Sequence, residues 1–446
     1  MKNPINKKTI FSGIILILFL NSITYGQGAF EKEKASSDSL SLGSVIQKVI
    51  SNYPSVKVAE EAIRNADSKI ALAKTGYNPV VDVTASFANL APVTKLSFPG
   101  LGTFQLYPDF NYSASINLQQ LVYDFGRTRQ NVAIENEGKA IGEQSLGQVK
   151  EKLSLYTVSN FYALLYVQAA IKIKDEQLAA LNEHLQYIEK VLATGSATEY
   201  QVLTTKVKIS TVESQKVDLI AAQKSQQAAL NSLMGNSNAA SPVVKNELSV
   251  AAPAIQSDSI LSYAYHNRDE VLINERKTTL AELKFGMTKL QNKPLLNLQA
   301  TGGAKNGYLP DLAKFTPNYV IGLGLRVPIF DGMKNKYTLS QAQSAITTLA
   351  YEADYTKRTI SNEVYESEAL MSAAARKVTQ TELQLKQAQK AYSLAEISFK
   401  SGVITNLDLL DANTSVSETS LMLLKARIDY AGSIYKLKAA LGERIY

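Results

Sequence analysis

Tyr319-Val320-Ile321-Gly322-Leu323-Gly324-Leu325-Arg326-Val327-Pro328-Ile329-Phe330-Asp331-Gly332 is the stretch whose reading decides the fold. Tyr319, Ile321, Leu323, Leu325 and Val327 alternate with Val320, Gly322, Gly324 and Arg326, the period of a half-buried strand. About ten residues is also the length of a tilted membrane strand. Asp331-Gly332 then turns the chain into Met333–Lys400, 68 residues with neither proline nor glycine. As one helix this window reaches about 100 Å at about 1.5 Å per residue, far beyond the usual globular length.

Three further segments share the strand pattern. Val81, Val83, Ala85 and Phe87 alternate with Asp82, Thr84 and Ser86. Tyr112, Ala114, Ile116 and Leu118 alternate with Ser113, Ser115, Asn117 and Gln119, and Leu296, Leu298 and Ala300 with Asn297, Gln299 and Thr301. Tyr77, Tyr112, Tyr123, Phe125, Tyr319 and Phe330 sit near the strand ends, as an interfacial aromatic girdle requires. The same alternation also fits the edge of a soluble sandwich. Four strands fall short of the eight in the smallest bacterial barrels. If these strands face lipid, several chains must share one barrel so that no edge stays unpaired.

The pattern is duplicated. Asn52-Tyr53-Pro54 is echoed by Asn267-Arg268-Asp269, and Asn78-Pro79-Val80 by Lys293-Pro294-Leu295, both 215 residues on. The offset then becomes 207: Tyr123-Asp124 matches Phe330-Asp331, Gly195 matches Gly402, and Leu233-Met234-Gly235 matches Ala440-Leu441-Gly442. The difference maps to one loop, shorter in the second copy. Each copy reads helix, two strands, long helix, helix. The long windows are Arg127–Thr194 and Met333–Lys400, and Gly138, Gly142 and Gly147 predict a bend or break at the start of the first. Shorter helices are expected near Leu40–Lys74, Ala197–Met234, Asp258–Gln291 and Ile404–Leu441. The expected divisions are a signal peptide over 1–26, a first repeat over 27–235, a linker over 236–257 and a second repeat over 258–446.

The first division rests on Lys2, Lys7 and Lys8 followed by apolar Ile10–Leu20, with Thr24 and Gly26 at the −3 and −1 positions of a cleavage site. Three of the lysines behind the net charge of +7 belong to this leader. The remaining bases are interleaved with acids along helices, so no nucleic-acid partner is expected. The chain has no cysteine and only two histidines, His184 and His266, without ligand spacing around either. Disulfides, thiol chemistry and thiolate metal sites are excluded. No metal, cofactor or catalytic residue is expected, and His184 reads as a helix-surface residue.

One region carries candidate chemistry. Gly402 follows the long window and supplies the left-handed residue that lets the chain reverse. Thr405 or Asn406 can cap the returning helix. Asp408 and Asp411, three apart, share a face in its first turns, where carboxylates favour the helix dipole. Helix-terminal acids are a common structural use, so the pair has a plain reading as well. The equivalent positions in the first copy, Gln201 and Thr204, carry no acid.

The whole mature chain resembles the TolC-like outer membrane factors of Gram-negative bacteria. The most specific pieces are Val327-Pro328-Ile329-Phe330-Asp331-Gly332, similar to the family's strand-to-helix turn, and Ser401-Gly402-Val403-Ile404-Thr405-Asn406-Leu407-Asp408-Leu409-Leu410-Asp411-Ala412, similar to its periplasmic tip. The resemblance implies a mainly α fold with membrane β. Three protomers share one twelve-stranded β-barrel, continued by an antiparallel α-helical coiled-coil barrel. It further implies an outer-membrane exit duct for efflux or type I secretion, docked on a periplasmic adaptor (membrane fusion) protein and an inner-membrane pump of RND, ABC or MFS type.

By the same resemblance Asp408 and Asp411 form a cation-preferring constriction, and Gly195, Ser196, Gly402 and Val403 are turns offered to the adaptor. Phe399 and Ile404 stand where some members carry a gating tyrosine and an arginine, so an apolar contact is expected there instead of a polar latch. Loops Ala91–Asn111 and Gly303–Asn318 are expected to face outside the cell. The competing class is a non-conducting exported coiled-coil structural or adhesion protein.

Overall fold

The computed structural model describes residues 39–100, 102–237, 241–253 and 259–446; the expected signal peptide lies outside them. In chain order the first repeat contains α1 (Leu42–Asn52), α2 (Pro54–Lys74), β1 (Val80–Asn89), β2 (Lys95–Phe98), β3 (Gly102–Gln105), β4 (Phe110–Tyr123), α3 (Arg127–Ala193) and α4 (Glu199–Met234). The second contains α5 (Ile260–Asn267), α6 (Asp269–Leu290), β5 (Leu295–Lys305), β6 (Thr316–Arg326), α7 (Lys334–Lys400) and α8 (Asn406–Ala440). No helix among the described residues is long and apolar enough to cross a membrane.

Three local expectations are corrected. The opening helix of each copy is split in two. Pro54 occupies the first turn of α2 and holds Tyr53 extended at φ −72°, ψ 132°. Arg268, the position that echoes Tyr53, is extended in the same way at φ −71°, ψ 126°. The first repeat has four strands rather than two, since β2 and β3 pair within the loop 91–111 from Lys95↔Gln105 to Phe98↔Gly102. Finally, α3 runs unbroken through Gly138, Gly142 and Gly147. Gly147 serves close packing, since a Cβ there would stand 2.9 Å from Asp269 Oδ2, whereas one at Gly142 would make an ordinary contact with Ile63 Cγ1 at 3.7 Å.

The duplication is visible in what is buried. Val45, Val49, Val56, Leu153, Leu230, Leu233 and Met234 belong to one apolar core built on α1, α2, α3 and α4, which Ile428 and Ala431 of α8 also enter. Ile260, Ala264, Val271, Ile360, Leu437, Ala440 and Leu441 belong to a second, formed by α5, α6, α7 and α8. Each residue of the second lies 215 or 207 positions after its counterpart, matching the sequence offsets. The linker packs back on the first repeat. Val244 bridges Leu40, and the Glu247 carboxylate accepts the Leu42 N–H at 3.1 Å, completing the start of α1.

One antiparallel sheet joins the repeats in the order β1-β4-β5-β6. Its register puts like with like. Val83 lies opposite Ile116, Ile116 opposite Gly302, and Gly302 opposite Tyr319. The next row is Val81, Leu118, Ala300 and Ile321. One face is therefore apolar across all four strands, and Val83, Ile116, Tyr319, Ile321, Leu323 and Leu325 are all exposed on it. The opposite face is a polar ladder. Thr84 bonds Ser115 at 2.9 Å, Ser86 bonds Ser113 at 2.8 Å, and Asn117 donates to Asp82 at 2.9 Å while accepting from Thr301 at 3.1 Å. Strands β1 and β6 leave their outer edges unpaired. At the sheet's lower rim Asp124 and Asp331 open the long helices, accepting the Thr128 N–H at 2.6 Å and the Asn335 N–H at 2.9 Å.

Candidate functional site

The far ends of the long helices turn in the same way twice. Gly195 and Gly402 close α3 and α7 with φ of +77° and +73°, values that suit glycine. The Ser196 N–H reaches the Val191 carbonyl at 3.0 Å, and the Val403 N–H the Ser398 carbonyl at 2.9 Å. These six-residue closures satisfy the last carbonyls of each helix. A capping box then opens each returning helix, Thr198 with Gln201 for α4 and Thr405 with Asp408 for α8. Of the two capping candidates in the sequence, Thr405 does the capping.

This places the acid pair. Asp408 and Asp411 are both exposed on the first turns of α8. One oxygen of Asp408, Oδ2, accepts the Thr405 N–H at 2.8 Å and its hydroxyl at 2.6 Å. The Thr405 hydroxyl holds the Asp408 carboxyl below the usual carboxylate range, helped by the Thr405 amide and opposed by slight burial. Asp408 thus caps its own helix and still presents a fixed negative charge to solvent. Gln201, the equivalent in the other tip, makes the same cap without a charge. The two turns share one geometry and differ in electrostatics.

Asn406 has a different task. It is buried, and its amide donates to the Gln201 carbonyl at 3.2 Å, Thr204 Oγ1 at 3.1 Å and Thr205 Oγ1 at 3.2 Å. Its carbonyl oxygen lies 2.7 Å from His184 Nε2, so the neutral imidazole donates there. His184 is therefore no surface residue. It is half-buried between the two helical hairpins, and burial pushes its pKa down, with the Asn406 hydrogen bond as the main opposing effect. Phe399 packs edge-on against His184 at 5.1 Å and Tyr187 at 6.4 Å within its own chain. Ile404 is half-buried beside the turn, while Val403 is 76% and Leu407 61% exposed. Gly195, Ser196 and Gly402 are exposed with them.

The structure thus brings Phe399, His184 and Asn406 into one cluster joining α3, α7, α4 and α8, and leaves Asp408, Asp411 and Val403 facing outward. The polar tie between His184 and Asn406 was missed in the sequence, because 222 residues separate its members and no spacing rule connects them.

Comparison with known proteins bears on what such a tip and sheet belong to. The chain matches the family model described as outer membrane efflux protein over residues 45–236 and 282–443. It is 24% identical over 351 residues to the alkaline protease secretion protein AprF of Pseudomonas aeruginosa, covering 76% of this chain and 71% of that one. It is 20% identical over 433 residues to the outer membrane efflux protein BepC of Brucella suis, covering 96% and 89%. Its fold matches the outer membrane protein VceC of Vibrio cholerae with a TM-score of 0.73 at 19% identity, covering 91% of this chain and 97% of that one. With its duplicated strand-and-helix plan matched over most of its length, the chain belongs to the outer membrane efflux protein family.

Proposed function

We propose that three copies of this chain close one twelve-stranded barrel in the outer membrane and continue it as a helical tunnel through the periplasm. The assembly is a passive exit duct for efflux or type I secretion. The observation that carries this reading is the four-stranded sheet with one apolar face and two unpaired edges. Unpaired backbone cannot face hydrocarbon, so β6 of one copy must meet β1 of the next. The apolar face then takes lipid, and the hydroxyl and amide ladder lines a wet interior.

The tips carry the partners and the gate. Val403 and Leu407 beside Gly402, with Gly195 and Ser196 on the other turn, offer an exposed apolar rim to a periplasmic adaptor. The adaptor in turn couples the duct to an inner-membrane pump of RND, ABC or MFS type, which supplies the energy. Asp408 and Asp411 from each copy ring the aperture and favour cations. At rest the tips are closed, with Phe399 and Ile404 as apolar contacts, and they dilate when the adaptor engages them. No catalytic step belongs to this reading.

Single-channel conductance in a planar bilayer tests it. Cation-selective pores are expected, with selectivity reduced in the Asp408→Asn/Asp411→Asn variant. Unchanged selectivity would move the constriction away from the acids, and protein that never inserts would remove the duct itself. Dilation has its own check: a disulfide engineered between neighbouring tips should block export, and full export through the cross-linked tips would exclude it.

A further inference from the structure

Beyond the sheet and the tip, the end of α8 meets the α5–α6 junction in a dense ionic knot. Arg444, in the tail after α8, grips Asp269 through two bonds of 2.6 Å, and Gln144 of α3 donates to the same carboxylate. Arg268 donates to Glu270 and Glu363, each at 2.8 Å, and to the Ala440 carbonyl at 3.2 Å. The packing is close, since a Cβ at Gly442 would stand 2.7 Å from the Asn267 carbonyl carbon. Tail, α3, α6, α7 and α8 are all tied here.

Glu151 of α3 borders this knot and does not share its bonds. Both carboxyl oxygens are sealed from solvent, and neither accepts a hydrogen bond of good geometry. A charged carboxylate in that position has lost water and gained only the poorly aligned Ile445 amide in return, so the neutral acid is favoured. Burial pushes Glu151 up to about 7, against the pull of the Ile445 amide and Arg444, with Asp269 adding to the rise and Arg268 opposing it.

The cavity at this junction is about 470 Å³. Lys152 enters it from α3, Arg268, Asp269 and Glu270 from the junction, and Glu363 and Glu366 from α7. Lys436 comes from α8 and Arg444 from the tail, with Tyr446 close to Glu151 beyond it. Among these groups Glu151 alone has both side-chain oxygens sealed and no well-formed hydrogen bond to either.

We propose that Glu151 is a proton-binding site that controls the C-terminal tail. Protonated, it leaves Arg444 seated on Asp269. Ionised, it competes for Arg444, draws it off Asp269 and loosens the tail and the start of α6 from α3. Only a proton crosses between solvent and the carboxyl; no other bond changes. Between the ordinary value of 4.5 and about 7, the folded chain holds a proton that the unfolded chain has released. Raising the pH through that window therefore weakens the native packing, and lowering it restores it.

The test uses the full-length protein in detergent. Infrared difference spectra between about pH 6 and pH 8 should show a protonated-carboxyl band that disappears at the higher pH and is missing in Glu151→Gln. In parallel, hydrogen exchange at residues 443–446, corrected for the intrinsic pH dependence, should lose about tenfold protection over the same interval in the native chain and none in Glu151→Gln. A native tail whose protection does not change with pH overturns the proposal even if the variant fails to fold. So does a carboxyl band that survives the substitution.

Discussion

Helices α3 and α7 have the same length, 67 residues, and occupy the same place in the two repeats, yet their surroundings differ. Fifteen residues of α3 are buried, among them Phe161, Leu164, Leu181 and Ile188. On α7 only Ile360, Val364 and Thr381 are. Tyr351, Tyr355, Leu370, Leu383, Leu394 and Ile397 are exposed along it. α3 is walled in by α1, α2, α4, α6 and α8, whereas α7 packs mainly on α5, α6 and α8 and meets α3 near the tip through Phe399. Duplication kept length and ends; burial diverged. α3 is the internal beam of a protomer, and α7 is a surface whose partners, in the proposed trimer, are other copies.

That contrast can be broken at several points. Phe161→Ala on α3 should cost about 3–5 kcal/mol in denaturant unfolding of the detergent-solubilised protein, as expected for a fully buried ring. Tyr355→Ala on α7 should change the stability of separated protomers by no more than about 0.5 kcal/mol, while weakening the trimer on native gels. Equal costs for the two would erase the distinction between beam and surface.

Arg268→Met comes next. It removes the ties to Glu270, Glu363 and the Ala440 carbonyl, and about 1.5–3 kcal/mol should be lost, seen first as faster exchange where α6 meets α7. Asn406→Ala leaves the Thr205 hydroxyl and His184 without their shared partner. About 1–3 kcal/mol is expected, read as increased spin-label separation between the two tip hairpins.

The same tie has a pH dependence. The folded pKa of His184 lies below its ordinary value of 6.5, so the unfolded state takes up the proton first. Tip stability should therefore fall as the pH drops below 6.5 and be fully present above it. A tip that tightens in acid would falsify the buried neutral imidazole. The smallest effects belong to the caps: Thr198→Ala and Thr405→Ala should each cost about 1 kcal/mol, measurable as fraying of α4 and α8.

The features legible in the sequence were those written in short-range chemistry. Alternation revealed the strands, since membrane and interior demand opposite side chains on successive residues. Proline-free runs revealed the long helices, and Gly195 and Gly402 the turns. What stayed hidden depended on contacts across the chain. Gly147 looked like a weak point in a helix, but the space it leaves is taken by Asp269 and Arg444. Arg268 gave no sign of a helix break, because the partners that receive it lie on α7 and α8. Asp408 illustrates a mixed outcome. Its position as a helix-terminal acid was readable, and the cap explains one oxygen, while the role proposed for it at an aperture rests on neighbours outside the chain.

The β4–β5 seam has a consequence for assembly kinetics. A Cβ at Gly303 would lie 2.2 Å from the Ala114 carbonyl oxygen, so the two repeats meet there backbone to backbone. In the proposed barrel every such seam has a counterpart between chains, where β6 meets β1. Seams inside a chain form at the high local concentration of a tether, and only those between chains wait on diffusion. Fusing two half-sheets into one polypeptide thus halves the number of seams that must form between chains. The order of the assembly reaction in protomer concentration falls with it, and so does the time that half-built edges spend open to the wrong partner.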